Sequence, residues 1–236
     1  MTTPTAISKS STTKNNRNYK KYRNYKNYKN YRNYKNYKKL HLMVEKISIC
    51  VFGASSRNLD ESYIEAAREL GTLMARRGWR CLNGAGSEGL MRAVSDGALD
   101  AGGEAIGVIP QFMIDNGWQY DRLTRIIATP TMHERKSTLA SMSQAVIALP
   151  GGCGTMEELL EAITWRQLNI AAKPIVLLNT LGYYDHLVLM LKQAIDHGFM
   201  KASHHRLWRV AQSPAQAIEI IDQELSQTIT PAESKY

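Results

Sequence analysis

The 236-residue chain carries 30 Lys and Arg against 21 Asp and Glu, but the excess is local. Residues 1–40 hold twelve basic residues and no acid, which leaves 18 basic against 21 acidic residues for the rest, a mildly acidic body without a general pull toward nucleic acid. Three scattered cysteines, Cys50, Cys81 and Cys153, exclude a disulfide framework, and no apolar run approaches the roughly 18 residues that span a bilayer.

The tail comes first. From Tyr19 to Tyr37 a tyrosine recurs at every third position among Lys, Arg and Asn, a period that fits neither helix nor half-buried strand. Residues 1–42 are therefore expected to be disordered. The segment reads as a translated simple repeat ahead of a start at Met43, or as a basic aromatic arm for single-stranded nucleic acid. It has no apolar core of a secretory signal, and with the unpaired cysteines this predicts a cytoplasmic protein.

Residues 43–236 read as one α/β domain. Lys46 to Phe52 predicts a first strand, ending in Gly53-Ala54-Ser55-Ser56, and Glu61 to Arg77 an amphipathic helix stopped by Gly78. Trp79 to Asn83 predicts a second strand, followed by Gly84-Ala85-Gly86-Ser87-Glu88-Gly89 and a helix through Asp100. A third strand, Glu104 to Ile109, is stopped by Pro110, and a loop rich in Trp, Tyr and Asp leads to a fourth at Leu123 to Ala128. Thr131-Met132-His133-Glu134 matches a capping box and opens a helix with Arg135 and Lys136 in its first turn. The fifth strand, Ala145 to Leu149, leads to a helix at Thr155 to Asn169. Ile175 to Leu178, a helix at Asp185 to His197, a strand at Leu207 to Val210 and a helix from Pro214 to Leu225 complete the chain. Strands alternating with helices predict a Rossmann-like, doubly wound parallel sheet in three layers, with ligands bound beyond the carboxyl ends of the strands.

The chemistry concentrates in Pro150-Gly151-Gly152-Cys153-Gly154-Thr155-Met156-Glu157-Glu158. Glycines ahead of a helix N-terminus let backbone N–H groups approach an anion, most often a phosphate. Glu158 sits one turn further on, where it either faces the ligand or merely closes a capping box with Thr155. The helix dipole favours its ionised form by roughly 0.3–1 kcal/mol, which points to a base or anionic stabiliser. Arg135 and Lys136 at a helix start are unfavourably placed against the same dipole, and an anionic ligand would account for them. Gly84-x-Gly86-x-x-Gly89 fits a dinucleotide fingerprint poorly: it follows the second strand, and no acid ends the next one. A tight turn near a phosphorylated ligand fits better. The histidines lack metal-ligand spacing, and Cys153 has no histidine in the motif to activate it.

Met132-His133-Glu134-Arg135-Lys136 followed by Pro150-Gly151-Gly152-Cys153-Gly154-Thr155-x-x-Glu158 resembles the Lonely Guy family of cytokinin riboside 5′-monophosphate phosphoribohydrolases, sometimes mislabelled lysine decarboxylases. The similarity runs from about Ile47 to Met200 and includes Gly89-Leu90-Met91, Gly107-Val108-Ile109-Pro110 and Ile163-Thr164-Trp165. It implies a dimeric hydrolase that cuts the N-glycosidic bond of a purine nucleoside 5′-monophosphate without metal or cofactor. It places catalytic roles on Arg135 and Glu158, and substrate contacts on Lys136, Gly151, Gly152, Cys153, Gly154, Thr155, Glu157 and Thr164. Ser55, Gly84 and Gly86, at the ends of the first two strands, join them as candidate contacts. Asn83-Gly84-Ala85-Gly86 stands where many members have three glycines, and Gln111 to Asp121 does not match the plant members. Two other functions remain: a non-catalytic carrier of a nucleotide or of molybdenum cofactor, and a nucleic-acid-binding protein acting through the tail.

Overall fold

Alternate residues of a strand point to opposite faces of its sheet, so strands that are apolar throughout need cover on both sides. The computed structural model, which describes residues 46–229, shows this arrangement. The expected tail, its nucleic-acid role and the start at Met43 lie outside the described residues. Seven strands, β1 (Ser48–Phe52), β2 (Arg80–Asn83), β3 (Ala105–Pro110), β4 (Arg125–Thr129), β5 (Ala145–Ala148), β6 (Ile175–Leu178) and β7 (Arg209–Ala211), form one sheet. Every pairing is parallel, in the order β4-β3-β2-β1-β5-β6-β7.

The helices are α1 (Glu61–Arg76), α2 (Gly89–Asp100), α3 (Gln111–Asp115), α4 (Met132–Met142), α5 (Cys153–Gln167), α6 (Asp185–Asp196) and α7 (Pro214–Ile229). Ile49, Val51 and Ile147 turn to one face, where Leu70 and Met74 of α1, Val94 of α2 and Ile221 of α7 cover them. Cys50, Val146 and Leu177 turn to the other, under Leu139 of α4, Leu159 of α5 and Leu191 of α6. Each such side chain contributes about 1.5–3 kcal/mol by leaving water. Behind α5, Lys173 donates to the Ala140 carbonyl and lies 3.4 Å from Ser143 Oγ, supplying a cation where α4 ends; burial holds its pKa below the ordinary lysine value.

Several boundaries differ from the sequence reading. Pro110 does not stop β3 but is its last residue, in register with Thr129, and serves as the N-cap of α3. That helix lies in the segment expected to be a loop, where five residues are too few for periodicity to register. β4 begins at Arg125 rather than Leu123, whose side chain is buried ahead of the strand. β7 likewise begins at Arg209, with Trp208 buried before it.

β1 lies between β2 and β5, and the chain leaves these strands toward opposite faces. The carboxyl ends of β1 and β5 therefore border a crevice, the usual ligand position in an open α/β sheet. The loops there are tied together: the Leu149 N–H donates to Phe52 O at 2.8 Å and the Ala54 N–H to Pro150 O at 3.0 Å.

Candidate active site

α5 starts two residues earlier than expected. Its N-cap is Gly152, which has no side chain to bond the first turn, and the first intrahelical bond runs from the Met156 N–H to Gly152 O at 3.0 Å. The N–H groups of Cys153, Gly154 and Thr155 thus precede any carbonyl of the helix. Thr155 lies inside the first turn rather than at the cap, which removes the capping-box account of Glu158. Cys153 is the exposed first residue of the helix, not a loop residue.

The glycines of this turn have separate causes. A Cβ on Gly151 would lie 2.1 Å from Thr155 Oγ1, so packing requires that glycine. A Cβ on Gly152 or Gly154 would meet nothing within 4 Å, and neither residue has positive φ. Packing requires neither glycine; both leave the helix start bare.

At α4 the expected cap is present: Thr131 Oγ1 accepts the Glu134 N–H at 3.1 Å, and the Glu134 carboxylate lies 3.2 Å from the same hydroxyl. Arg135 is not a solvated charge. It is buried, with Nε donating to Val108 O at 3.1 Å and Nη2 to Gly84 O at 3.3 Å. A Cβ on Gly84 would fall 1.7 Å from Nη2, so this glycine makes room for the guanidinium. Gly86 makes room for Met91. Ala85 between them has φ 62° despite its Cβ, held by its N–H bond to Asn83 Oδ1 at 2.9 Å. Asn83 in turn donates to Ser95 Oγ at 2.8 Å.

Arg135 Nη1 stands 3.9 Å from Glu158 Oε1, the one ion pair of that carboxylate among the described residues. The distance is too long for a hydrogen bond, so both groups keep capacity for a ligand. Burial raises the Glu158 pKa above the usual carboxylate value, and the Arg135 charge only partly offsets it. This corrects the expectation drawn from the helix dipole: desolvation sets the direction of the shift.

Lys136 is engaged by the protein. Its ammonium lies 2.6 Å from Glu157 and 3.1 Å from Glu161, joining α4 to α5, and the bond to Glu157 is the leading cause of its raised pKa. Thr164 donates to the Leu160 carbonyl at 2.8 Å, within its own helix, and borders an open groove with Gly151, Gly152, Cys153, Glu157 and Tyr183. Ser55, Gly84, Gly86 and Arg135 border a second cleft, beyond the ends of β1–β3. Arg135, from α4, thus faces the second cleft, while Glu158, from α5, borders a third cavity with Cys50, Phe52, Lys136 and Trp165.

Two residues that sequence reasoning missed brace the turn ahead of α5. The Tyr183 hydroxyl donates to Gly151 O, and the buried Tyr184 hydroxyl to Leu149 O at 2.7 Å. The available signal was Gly182-Tyr183-Tyr184-Asp185, a short polar-aromatic run just past β6 on the ligand side of the sheet.

A family model described as "Possible lysine decarboxylase" matches residues 91–221, a span that holds Arg135 and Glu158. The chain is 40% identical over 174 residues to a cytokinin riboside 5′-monophosphate phosphoribohydrolase of Arabidopsis thaliana, covering 74% of this chain and 76% of that protein. A second Arabidopsis thaliana protein of the same description is also 40% identical over 174 residues, with 74% and 82% covered. Among solved structures, the molybdenum cofactor carrier protein from Chlamydomonas reinhardtii is similar with a TM-score of 0.61 and 30% identity, over 77% of this chain and 99% of that one. With this identity over most of both sequences, the chain belongs to the Lonely Guy family of glycosylase-type hydrolases.

Proposed function

We propose that this protein hydrolyses the N-glycosidic bond of purine nucleoside 5′-monophosphates, with adenosine or N6-substituted adenosine monophosphate as substrate, releasing the base and ribose 5-phosphate. The observation that carries this reading is the Arg135–Glu158 pair beside the bare start of α5, where packing requires neither Gly152 nor Gly154. The 5′-phosphate seats on the N–H groups of Cys153, Gly154 and Thr155, supplying binding energy remote from the reacting bond.

N-glycosidic cleavage builds positive charge on the ribose, as O-glycoside hydrolysis does. Ionised Glu158 stabilises that charge and orients the attacking water. Arg135, which stays protonated, donates hydrogen bonds to the departing base as negative charge collects there. Val108 O and Gly84 O hold its guanidinium in place, so little reorganisation is needed during the reaction.

A homodimer accords with exposed apolar side chains on α5, α6 and the turns after them: Leu160, Leu168, Ile170, Leu189, Met190 and Phe199. Free cysteines support a reducing, cytoplasmic setting. The structural likeness to molybdenum cofactor carriers keeps a carrier as the second reading. Incubation with AMP and isopentenyl-AMP, followed by assay of free base and ribose 5-phosphate, separates the two. Turnover abolished in both Glu158→Gln and Arg135→Ala supports the enzyme; tight retention of ligand without turnover in the wild type overturns it.

A further inference from the structure

The segment Gln111–Asp121, which departs from the family pattern, is closely tied down. The Gly117 N–H donates to Ile114 O at 2.8 Å and the Trp118 N–H to Met113 O at 3.1 Å. Gly117 takes φ 69°, turning the chain back toward β2. Beyond Trp118, Gln119 forms an antiparallel bridge with Gly86, and the Tyr120 N–H donates to Ala85 O at 2.9 Å. Tyr120 is buried, its hydroxyl bonded to Asp96.

The backbone on both sides of Trp118 is therefore held, yet the indole is 53% exposed. Its neighbour two positions on found apolar cover; Trp118 instead borders the cleft shared with Ser55, Gly84, Gly86, Met113 and Arg135. Folding gains little from a large aromatic left half in water. A planar ligand would cover it.

We propose that Trp118 is the stacking surface for the heterocyclic base, and so a base-binding residue of this enzyme. The inference rests on the nucleotide reading of the site. A nucleotide runs phosphate, sugar, base. The start of α5, Glu158, Arg135 and Trp118 supply a phosphate seat, a carboxylate for the sugar, a cation for the base and an aromatic wall in the same order. The cleft bordered by Arg135 also holds Trp118, so a base seated in that cleft beside the arginine has the indole in the same wall. Stacking accepts any base, because each has a π-face, and it favours the wider purine over the pyrimidine.

The test compares wild type, Trp118→Ala and Trp118→Phe for kcat and KM with AMP, and the same three in a Glu158→Gln background, which does not turn over, for equilibrium binding of AMP and of ribose 5-phosphate. Stacking predicts that Trp118→Ala weakens AMP binding and raises KM by about 10- to 100-fold, the usual worth of one stacked base. It also predicts unchanged ribose 5-phosphate binding, near-wild-type kcat, and recovery in Trp118→Phe. Unchanged AMP affinity in Trp118→Ala overturns the inference, as does equal weakening for AMP and ribose 5-phosphate, which would make the residue a support for the loop. Binding is read without turnover, so the two readings fail separately. A wild type that binds AMP through Trp118 but never cleaves it sinks the hydrolase and leaves the stacking surface standing. Turnover indifferent to Trp118 does the reverse.

Discussion

Replacing Gly84 with alanine perturbs Arg135 without touching its own chemistry. The added Cβ would lie 1.7 Å from Nη2 and 2.9 Å from Cζ, whereas non-bonded heavy atoms settle at about 3.5–4.0 Å. The guanidinium must therefore retreat by about 2 Å, or the backbone after β2 must give way. Retreat breaks the Nη2 bond to Gly84 O and strains the Nε bond to Val108 O, and hydrogen bonds to a charged group contribute about 1.5–3 kcal/mol each. A displacement of about 1 Å in a catalytic group can cost about 100-fold in rate, and loss of one preorganised donor about 100- to 1,000-fold. Gly84→Ala is therefore expected to lower kcat/KM by about 100- to 1,000-fold, approaching Arg135→Ala. Gly86→Ala is the control: its Cβ would meet Met91 Cε at 2.6 Å, the far end of a flexible side chain that can turn aside. Ribose 5-phosphate release from AMP, with thermal melting to separate misfolding from misplacement, reads both variants. Wild-type kcat/KM in a stably folded Gly84→Ala protein would refute the claim that this guanidinium must be held where it is.

Because burial raises the Glu158 pKa and the group works ionised, kcat/KM should fall with acid through a pKa above the ordinary glutamate value of about 4.3; Arg135→Gln, lacking the offsetting charge, should move any residual activity's acid limb to higher pH. The same shift has a stability sign. A carboxyl that binds its proton more tightly when folded costs stability as pH rises from its unfolded to its folded pKa, so Glu158→Gln should melt at or above the wild-type temperature at neutral pH. In native protein a thiol reagent should label Cys153 alone, since Cys50 and Cys81 are buried and burial pushes the Cys81 thiol up to about 12; labelling should block activity and AMP should protect. Fast labelling of all three, or a labelled enzyme with full activity, would count against the seat at α5. Gly154→Ala, inside the helix and with open space for its Cβ, should not lower the melting temperature but should raise KM for AMP, whereas Gly151→Ala, whose Cβ would meet Thr155 Oγ1 at 2.1 Å, should destabilise the fold; a Gly154→Ala enzyme with unchanged KM would remove the need for a bare helix start.

Much of the sheet was legible because a covered parallel strand has a local signature. Ile175–Leu178 is apolar at each position and punctuated on both sides, and the structure keeps those bounds. The candidate anion site was visible as a motif, since glycines before a helix and a carboxylate one turn later lie within a few residues of one another, whereas the approach of Arg135 to Glu158 joins positions 23 apart. The failures mark the limit of that range. Thr155 with Glu158 has the spacing of a cap, and only the backbone shows the helix starting at Cys153. The dipole argument for Glu158 used neighbours along the chain, while its raised pKa comes from burial among groups brought in by other elements.

Residue types, their order and the alternation of apolar segments by themselves determined a doubly wound α/β domain, and marked a candidate anion site, a candidate arginine and a candidate glutamate. Tertiary structure alone decided that Arg135 is buried against Gly84 O and Val108 O, 51 and 27 positions away, that Tyr183 and Tyr184 brace the turn ahead of α5, and that Trp118 stands half in water at the cleft Arg135 borders. The reason is physical: helix, strand and cap preferences act over about one turn of chain, whereas desolvation and the pairing of buried polar groups depend on whatever the fold places within a few ångströms.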